Sequence, residues 1–246
     1  MMALLEGRIA LVTGASRGIG YATALALARQ GAHVIAVART SGGLEELDDA
    51  IQADGGSATL VPMDLTDMPA IDRLGAAIND RWGKLDILVA NAGVLGVISP
   101  VGHVEAKVFD KVMTVNVTAT WRVIRSVEPL LIKSDAGRAL ILSSGVAHSA
   151  RAFWGPYAAS KAAVETLARV WAAETEKTSL KVNSIDPGAT RTAMRAQAFP
   201  GEKPETLPHP AEVAAKLVPL CGPDCTVTGK LFRVAENRFF DYRLPE

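Results

Sequence analysis

The sequence predicts an α/β fold, a doubly wound parallel sheet of about seven strands with helices on both faces, forming one domain over residues 1–246. Three observations carry that expectation. Seven short runs rich in Val, Ile and Leu recur along the chain, and most end in Gly, Ser, Asp or Asn. Their hydrophobicity is near-continuous, as in strands buried on both faces. Stretches of helical spacing separate them, so each strand feeds a right-handed crossover that returns parallel to it.

In chain order the strand runs are "RIALVTG", "AHVIAVAR", "SATLVPMD", "KLDILVANAG", "GRALILSS", "LKVNSIDPG" and "GKLFRVA". The spacing predicts helices over about 18–30, 41–54, 67–82, 105–132, 155–178 and 211–220. No linker divides the chain. The one long interruption, "ATRTAMRAQAFPGEKPETLPHP" at 189–210, carries four prolines in its second half and two basic residues near its start. A Pro-rich excursion after a strand reads as a mobile substrate lid, with a plain surface loop as the alternative.

Composition narrows the class. Twenty-six basic residues balance twenty-six acidic ones, which removes the global electrostatic argument for nucleic acid or an anionic membrane. The apolar start is interrupted by Glu6, Gly7 and Arg8, and no run of roughly eighteen apolar residues occurs, so a secretory leader and a membrane span are not expected. A cytoplasmic location follows as the expectation. Cys221 and Cys225 have no histidine cluster beside them, so neither a metal site nor a structural disulfide is expected.

The first strand runs into "TGASRGIG" and then into an Ala- and Leu-rich helix. Gly14 suits the tight turn, Gly18 lets the backbone approach a pyrophosphate, and Gly20 lets the helix pack on the sheet. The helix N-terminus then offers free N–H groups to phosphate, which is the Rossmann-type arrangement for a dinucleotide. After the second strand an acid would bind ribose hydroxyls and repel a 2′-phosphate. Ala38 stands there instead, followed by Arg39 and Thr40, and Arg17 lies in the glycine loop. Two guanidinium groups favour NADP(H) over NAD(H).

Near the middle of the chain, Ser143 and Ser144 close an apolar run, Tyr157 follows thirteen residues after Ser144, and Lys161 comes four later. Four is a helical interval, so Tyr157 and Lys161 share a face; an ordinary exposed pair is the alternative reading. With "TGASRGIG", "NAG" at 91–93, "YAASK" at 157–161 and "PGATRT" at 187–192 in this order, the sequence resembles the compact branch of the short-chain dehydrogenase/reductase family over essentially its whole length. The resemblance implies Ser144, Tyr157 and Lys161 as catalytic residues, with Asn116 from "MTVNVTATW" as the helix asparagine. It implies Ser16 and Ile19 in the glycine loop, Asp64 and Leu65 at the adenine, and Asn91, Ala92 and Gly93 beneath the riboses. Ile185, Pro187, Gly188, Thr190 and Thr192 would meet the nicotinamide. "ANAG" replaces the usual double asparagine, and Ala235, Glu236 and Asn237 stand where "DGG" is frequent.

These residues fit hydride transfer between NADP(H) and a carbonyl or hydroxyl compound. Tyrosine is acid enough to protonate the oxygen, and Lys161 is expected to lower its pKa. Ser144 would donate to that oxygen, and Asn116 would lead water toward Lys161 or, alternatively, cap a helix irregularity. His148, Phe153, Trp154 and Met194, with Phe199, are candidates for the substrate wall. Trp121 and Trp171 lie on the two longest predicted helices. In the family those helices commonly pair between subunits, so a homodimer or homotetramer is expected, with a monomer as the alternative. A catalytically silent NADP(H)-binding sensor is the competing function, and an epimerase or enoyl reductase a third. Substrate identity does not follow from the sequence.

Overall fold

The computed structural model describes residues 3–242; the ends of the expected domain, 1–2 and 243–246, lie outside them. Strands β1 (Ile9–Thr13), β2 (His33–Ala38), β3 (Ser57–Pro62), β4 (Ile87–Ala90), β5 (Arg138–Leu142), β6 (Lys181–Asp186), β7 (Leu231–Arg233) and β8 (Arg238–Phe240) form one sheet in the order β3-β2-β1-β4-β5-β6-β7-β8. All neighbours are parallel except β7 and β8, which pair antiparallel with Phe232 opposite Phe239. β8 is the strand missing from the expected seven. At three residues it is too short to show a period, and it returns through a turn with Asn237 at φ 50°.

The seven expected runs are strands for the reason their composition suggests. Every residue of β1, β4 and β5 is buried, since helices cover both faces. Alternation within a strand then divides the core in two. Ala10 and Val12 of β1 join Val34 and Ala36 of β2 under α1 (Gly18–Arg29), α2 (Ser41–Ala53) and α9 (Pro210–Leu217). Leu11, Ile35 and Val37 point the other way, toward α3 (Met68–Trp82), α5 (Ala119–Ile132) and α7 (Gly155–Glu174). Each fully buried aliphatic side chain stabilises the fold by about 1.5–3 kcal/mol.

Local signals set the helix ends. At α3 the Asp67 carboxylate accepts from the Ala70 N–H at 3.1 Å, Pro69 sits in the first turn, and Gly83 ends the helix at φ 71°. Gly75 of α3 lies against α5: a β-carbon there would meet the Ser126 hydroxyl at 2.1 Å and its backbone oxygen at 2.7 Å. α7 ends at Glu174, four residues short of the expected boundary. The single helix expected over 105–132 is α4 (Ala106–Met113), a π-helical turn at Thr114–Thr118, and α5. The interruption at 189–210 contains a short helix, α8 (Ala193–Ala198), started by Thr192, whose hydroxyl accepts from the Arg195 N–H at 3.1 Å.

Strand order reverses between β1 and β4, and at such a switch point the loops leaving the strand ends diverge and leave a crevice. No helix among the described residues is long and apolar enough to cross a membrane.

Candidate active site

The crevice begins at the glycine turn. Gly14 has φ 68° and Gly18 φ 61°, both in the left-handed region. Gly20 serves closeness: its β-carbon would sit 2.3 Å from the Gly14 carbonyl oxygen and 2.4 Å from Asn91 Nδ2. Asn91 clasps this turn, its Nδ2 donating to the carbonyls of Thr13 at 3.0 Å and Gly14 at 3.2 Å. In return the Thr13 hydroxyl accepts from the N–H groups of Asn91 and Ala92 at 3.0 and 3.1 Å. The side chain of Asn91 thus ties the ends of β1 and β4 together.

A cavity of about 660 Å³ opens over this turn. Gly14, Ser16, Arg17, Gly18 and Ile19 line its floor, Arg39, Thr40, Asp64 and Leu65 one end, and Asn91, Ala92, Gly93, Tyr157, Lys161, Pro187 and Thr192 the other. Gly20 lies behind the floor, while Gly188 and Thr190 face a second cavity. Met63, Val94 and Leu142 also line the larger space and were missed, because apolar residues at or just after strand ends carry no chemical signature; Arg191 lines it as well, a charge that the sequence shows only as part of the excursion. The Asp64 carboxylate accepts from the backbone N–H and hydroxyl of Thr66 at 2.8 and 2.9 Å. Those bonds hold its pKa below the ordinary range, with the charges of Arg39 and Lys111 adding to the effect.

The second cavity, about 380 Å³, shares Ile19, Ser143, Tyr157, Pro187, Thr192 and Met194 with the first, so the two meet at Tyr157. Ser144 lines only the second. Burial pushes the Tyr157 phenol up to about 12, with hydrogen bonding to Ser144 opposing the shift and the Asp186 charge reinforcing it. The lowering expected from Lys161 is not what the structure shows: desolvation sets the direction, the opposing effect is the Ser144 hydrogen bond, and the Lys161 Nζ lies 5.7 Å from the phenol ring centroid. That ammonium is itself buried and donates to the Leu142 carbonyl at 2.6 Å. Its pKa falls to about 8 by burial, with the Glu165 carboxylate one turn along α7 pulling the other way.

Asn116 stands in the π-helical turn. Its Oδ1 accepts from the Val94 N–H at 2.8 Å, and its Nδ2 donates to the Val94 carbonyl at 3.0 Å and to Ser160 Oγ at 2.9 Å. A β-carbon on Gly93 would lie 3.3 Å from Asn116 Oδ1 and 3.6 Å from Lys161 Nζ, so Gly93 leaves both polar groups facing one small space. Ser143 does not face the reacting groups with its hydroxyl: Oγ donates to Glu165 Oε1 at 2.5 Å.

Among the expected wall residues, Trp154 and Met194 line the second cavity, and Phe199 packs beside them. His148, on the short helix α6 (Val146–Ser149), and Phe153 do not line it. His148 Nε2 reaches back to the Glu165 carboxylate at 2.9 Å, and Phe153 turns outward with 53% exposure at φ 72°. Sequence reasoning missed Leu95, Val146, Arg151, Asp186 and Arg195 in this wall. An acid closing a buried strand was the available signal for Asp186, whose Oδ1 accepts from the N–H groups of Gly145 and Gly188 at 3.0 and 3.1 Å.

Residues 8–203 match the family model described as short chain dehydrogenase. The uncharacterized oxidoreductase YciK of Escherichia coli K12 is 42% identical over 239 residues, covering 96% of this chain and 94% of its own. An uncharacterized NAD-dependent oxidoreductase of Mycobacterium tuberculosis is 35% identical over 204 residues, 77% of this chain and 74% of its own. Among solved structures, a short chain dehydrogenase of Shigella flexneri complexed with NADP superposes with a TM-score of 0.92 at 39% identity, over 96% of this chain and 100% of that one.

Proposed function

The chain belongs to the short-chain dehydrogenase family of oxidoreductases, and from that premise we propose that it transfers hydride between NADP(H) and a carbonyl or hydroxyl compound, with Tyr157 as acid and base. The observation that carries the reading is the meeting of the two cavities at Tyr157, with the Lys161 ammonium beneath. When bound, the reduced nicotinamide supplies the hydride. The glycine turn of Gly14, Gly18 and Gly20 receives the pyrophosphate against the N-terminus of α1, and a β-carbon on Gly20 would break the turn by colliding with the Gly14 carbonyl and Asn91 behind it. Arg17 and Arg39 bind the 2′-phosphate, supported by the absence of a carboxylate at Ala38. Asp64 and Leu65 hold the adenine, and Pro187, Gly188, Thr190 and Thr192 hold the nicotinamide end.

A phenol with a pKa near 12 stays protonated through neutral pH and gives its proton to the developing alkoxide. Ser144 donates a hydrogen bond to the same oxygen, and Lys161 orients the ribose. Asn116 fixes Val94 and Ser160 and so holds open the space between Gly93 and Lys161 through which water reaches the ammonium. Trp154 and Met194 hold the substrate body, and 189–210 closes over it as a lid. A cytoplasmic homo-oligomer, dimer or tetramer, acting on small molecules in one domain completes the reading. Half-exposed Trp121 and Val170 support a covered helical face.

Turnover decides between this reading and a silent sensor. Replacing Tyr157 by Phe lowers NADPH oxidation on a panel of ketones and aldehydes by about 10²–10⁴-fold while cofactor binding is kept. Near wild-type turnover in Tyr157→Phe overturns the assignment. NADH in place of NADPH gives the slower reaction, and equal rates overturn the cofactor preference.

A further inference from the structure

The second cavity is apolar along most of its length and charged at two places. Leu95, Val146, Trp154, Met194 and Ala198 supply the apolar wall. At the reacting end Asp186 is buried, engaged by two backbone N–H groups and 3.8 Å from Arg233 Nε. Away from it stand two guanidinium groups, Arg151 and Arg195. Arg195 is neutralised, its Nε and one terminal nitrogen each 2.6 Å from a Glu202 carboxylate oxygen. Arg151 has no carboxylate partner among the described residues. It lies 4.9 Å from the Phe199 ring centroid and 6.0 Å from that of Trp154. Trp154 in turn lies 6.0 Å from the Tyr157 ring, so one indole separates the unpaired cation from the proton donor.

The backbone is bent to present that cation. Ala150 at φ 44° and Phe153 at φ 72° flank Arg151, two left-handed residues that are not glycine within four positions. Such strain persists only where the surroundings impose it, and it concentrates at sites that bind. Here the Phe153 carbonyl accepts from the Ser99 N–H at 3.0 Å, which anchors the bend. Phe153 faces out, Arg151 stands at the exposed mouth of the cavity, and Trp154 lies in its buried wall.

We propose that the cavity selects a carbonyl substrate bearing a carboxylate, set one indole's width of apolar chain or ring from the reacting carbon, with Arg151 receiving the anion. The proposal rests on the dehydrogenase reading and adds the substrate class. Asp186 is already engaged by two N–H groups and Arg233, and Arg195 by Glu202, which leaves Arg151 as the charge of the described wall open to an anion, and a guanidinium over aromatic faces keeps its fork free for a carboxylate.

The test uses a graded series of straight-chain methyl-ketone acids, each beside its methyl ester, with NADPH. At the best chain length the acid exceeds its ester in kcat/KM by about tenfold or more, chiefly through KM. Arg151→Gln collapses that ratio and Arg151→Lys restores part of it. Equal rates for acid and ester in the wild type, or an unchanged ratio in Arg151→Gln, overturn the proposal. If neither series turns over, calorimetric binding of acid and ester to the NADPH-loaded protein decides. Binding of the acid that Arg151→Gln abolishes upholds the proposal, and no preference for the acid overturns it. Loss of turnover with every carbonyl compound, but with acid-selective binding intact, is a failure of the dehydrogenase reading alone.

Discussion

Lys161 is a buried cation whose charge hangs on its neighbours. Burial drives its pKa down to about 8, and the Glu165 carboxylate, at the next turn of the same helix, holds it from falling further. Glu165 is buried as well, accepting from Ser143 Oγ and facing the half-exposed His148. The ammonium is therefore present below about pH 8 and lost as pH rises through it. Accordingly kcat/KM for NADPH, which reports the free enzyme, falls above about pH 8. In Glu165→Gln the attraction is gone, so the same break moves to lower pH; a break that stays or rises shows that Glu165 does not tune Lys161. The interval between Tyr157 and Lys161 was legible in the sequence. Glu165 was not, because four residues beyond a lysine on an Ala-rich helix a glutamate reads as solvated surface.

At the scale of elements, helix contacts made through missing atoms govern the sheet's outer layer. Gly75 lets α3 close on Ser126 of α5, and the contact includes backbone that cannot move aside. Gly75→Ala raises helix propensity but forces the helices apart, and the loss outweighs the gain. We expect a net destabilisation of about 1–3 kcal/mol, read from the midpoint of urea unfolding, with no change in the glycine turn. A midpoint equal to or above the wild type removes the close-packing argument. Strands and most helices were readable from period and caps. The π-helical turn at Thr114–Thr118 was not, since one inserted residue leaves the apolar spacing of 105–132 almost intact; only a polar Asn116 among apolar neighbours hinted at it. The bend at 150–153 is equally silent, because Ala150 and Phe153 are not residues that mark left-handed backbone.

Across the whole molecule, the helices of one face leave apolar surface uncovered. Trp121 on α5 is 42% exposed and Val170 on α7 is 49% exposed, while Trp171 is buried. A second copy seated there would bury both. Trp121→Glu is expected to shift the sedimentation profile from dimer or larger toward monomer, and a wild type that sediments as a monomer ends the proposal. The strand order also has a temporal side. β1 lies inside the sheet, yet one of its two neighbours, β4, begins only at residue 87. At a synthesis rate of about 5–20 residues per second, roughly 4–15 s separate the emergence of Thr13 from that of Ile87. Throughout that interval β1, every residue of which is buried in the finished sheet, has at least one hydrogen-bonding edge open, so the growing chain passes through a state in which a strand of its core is adhesive.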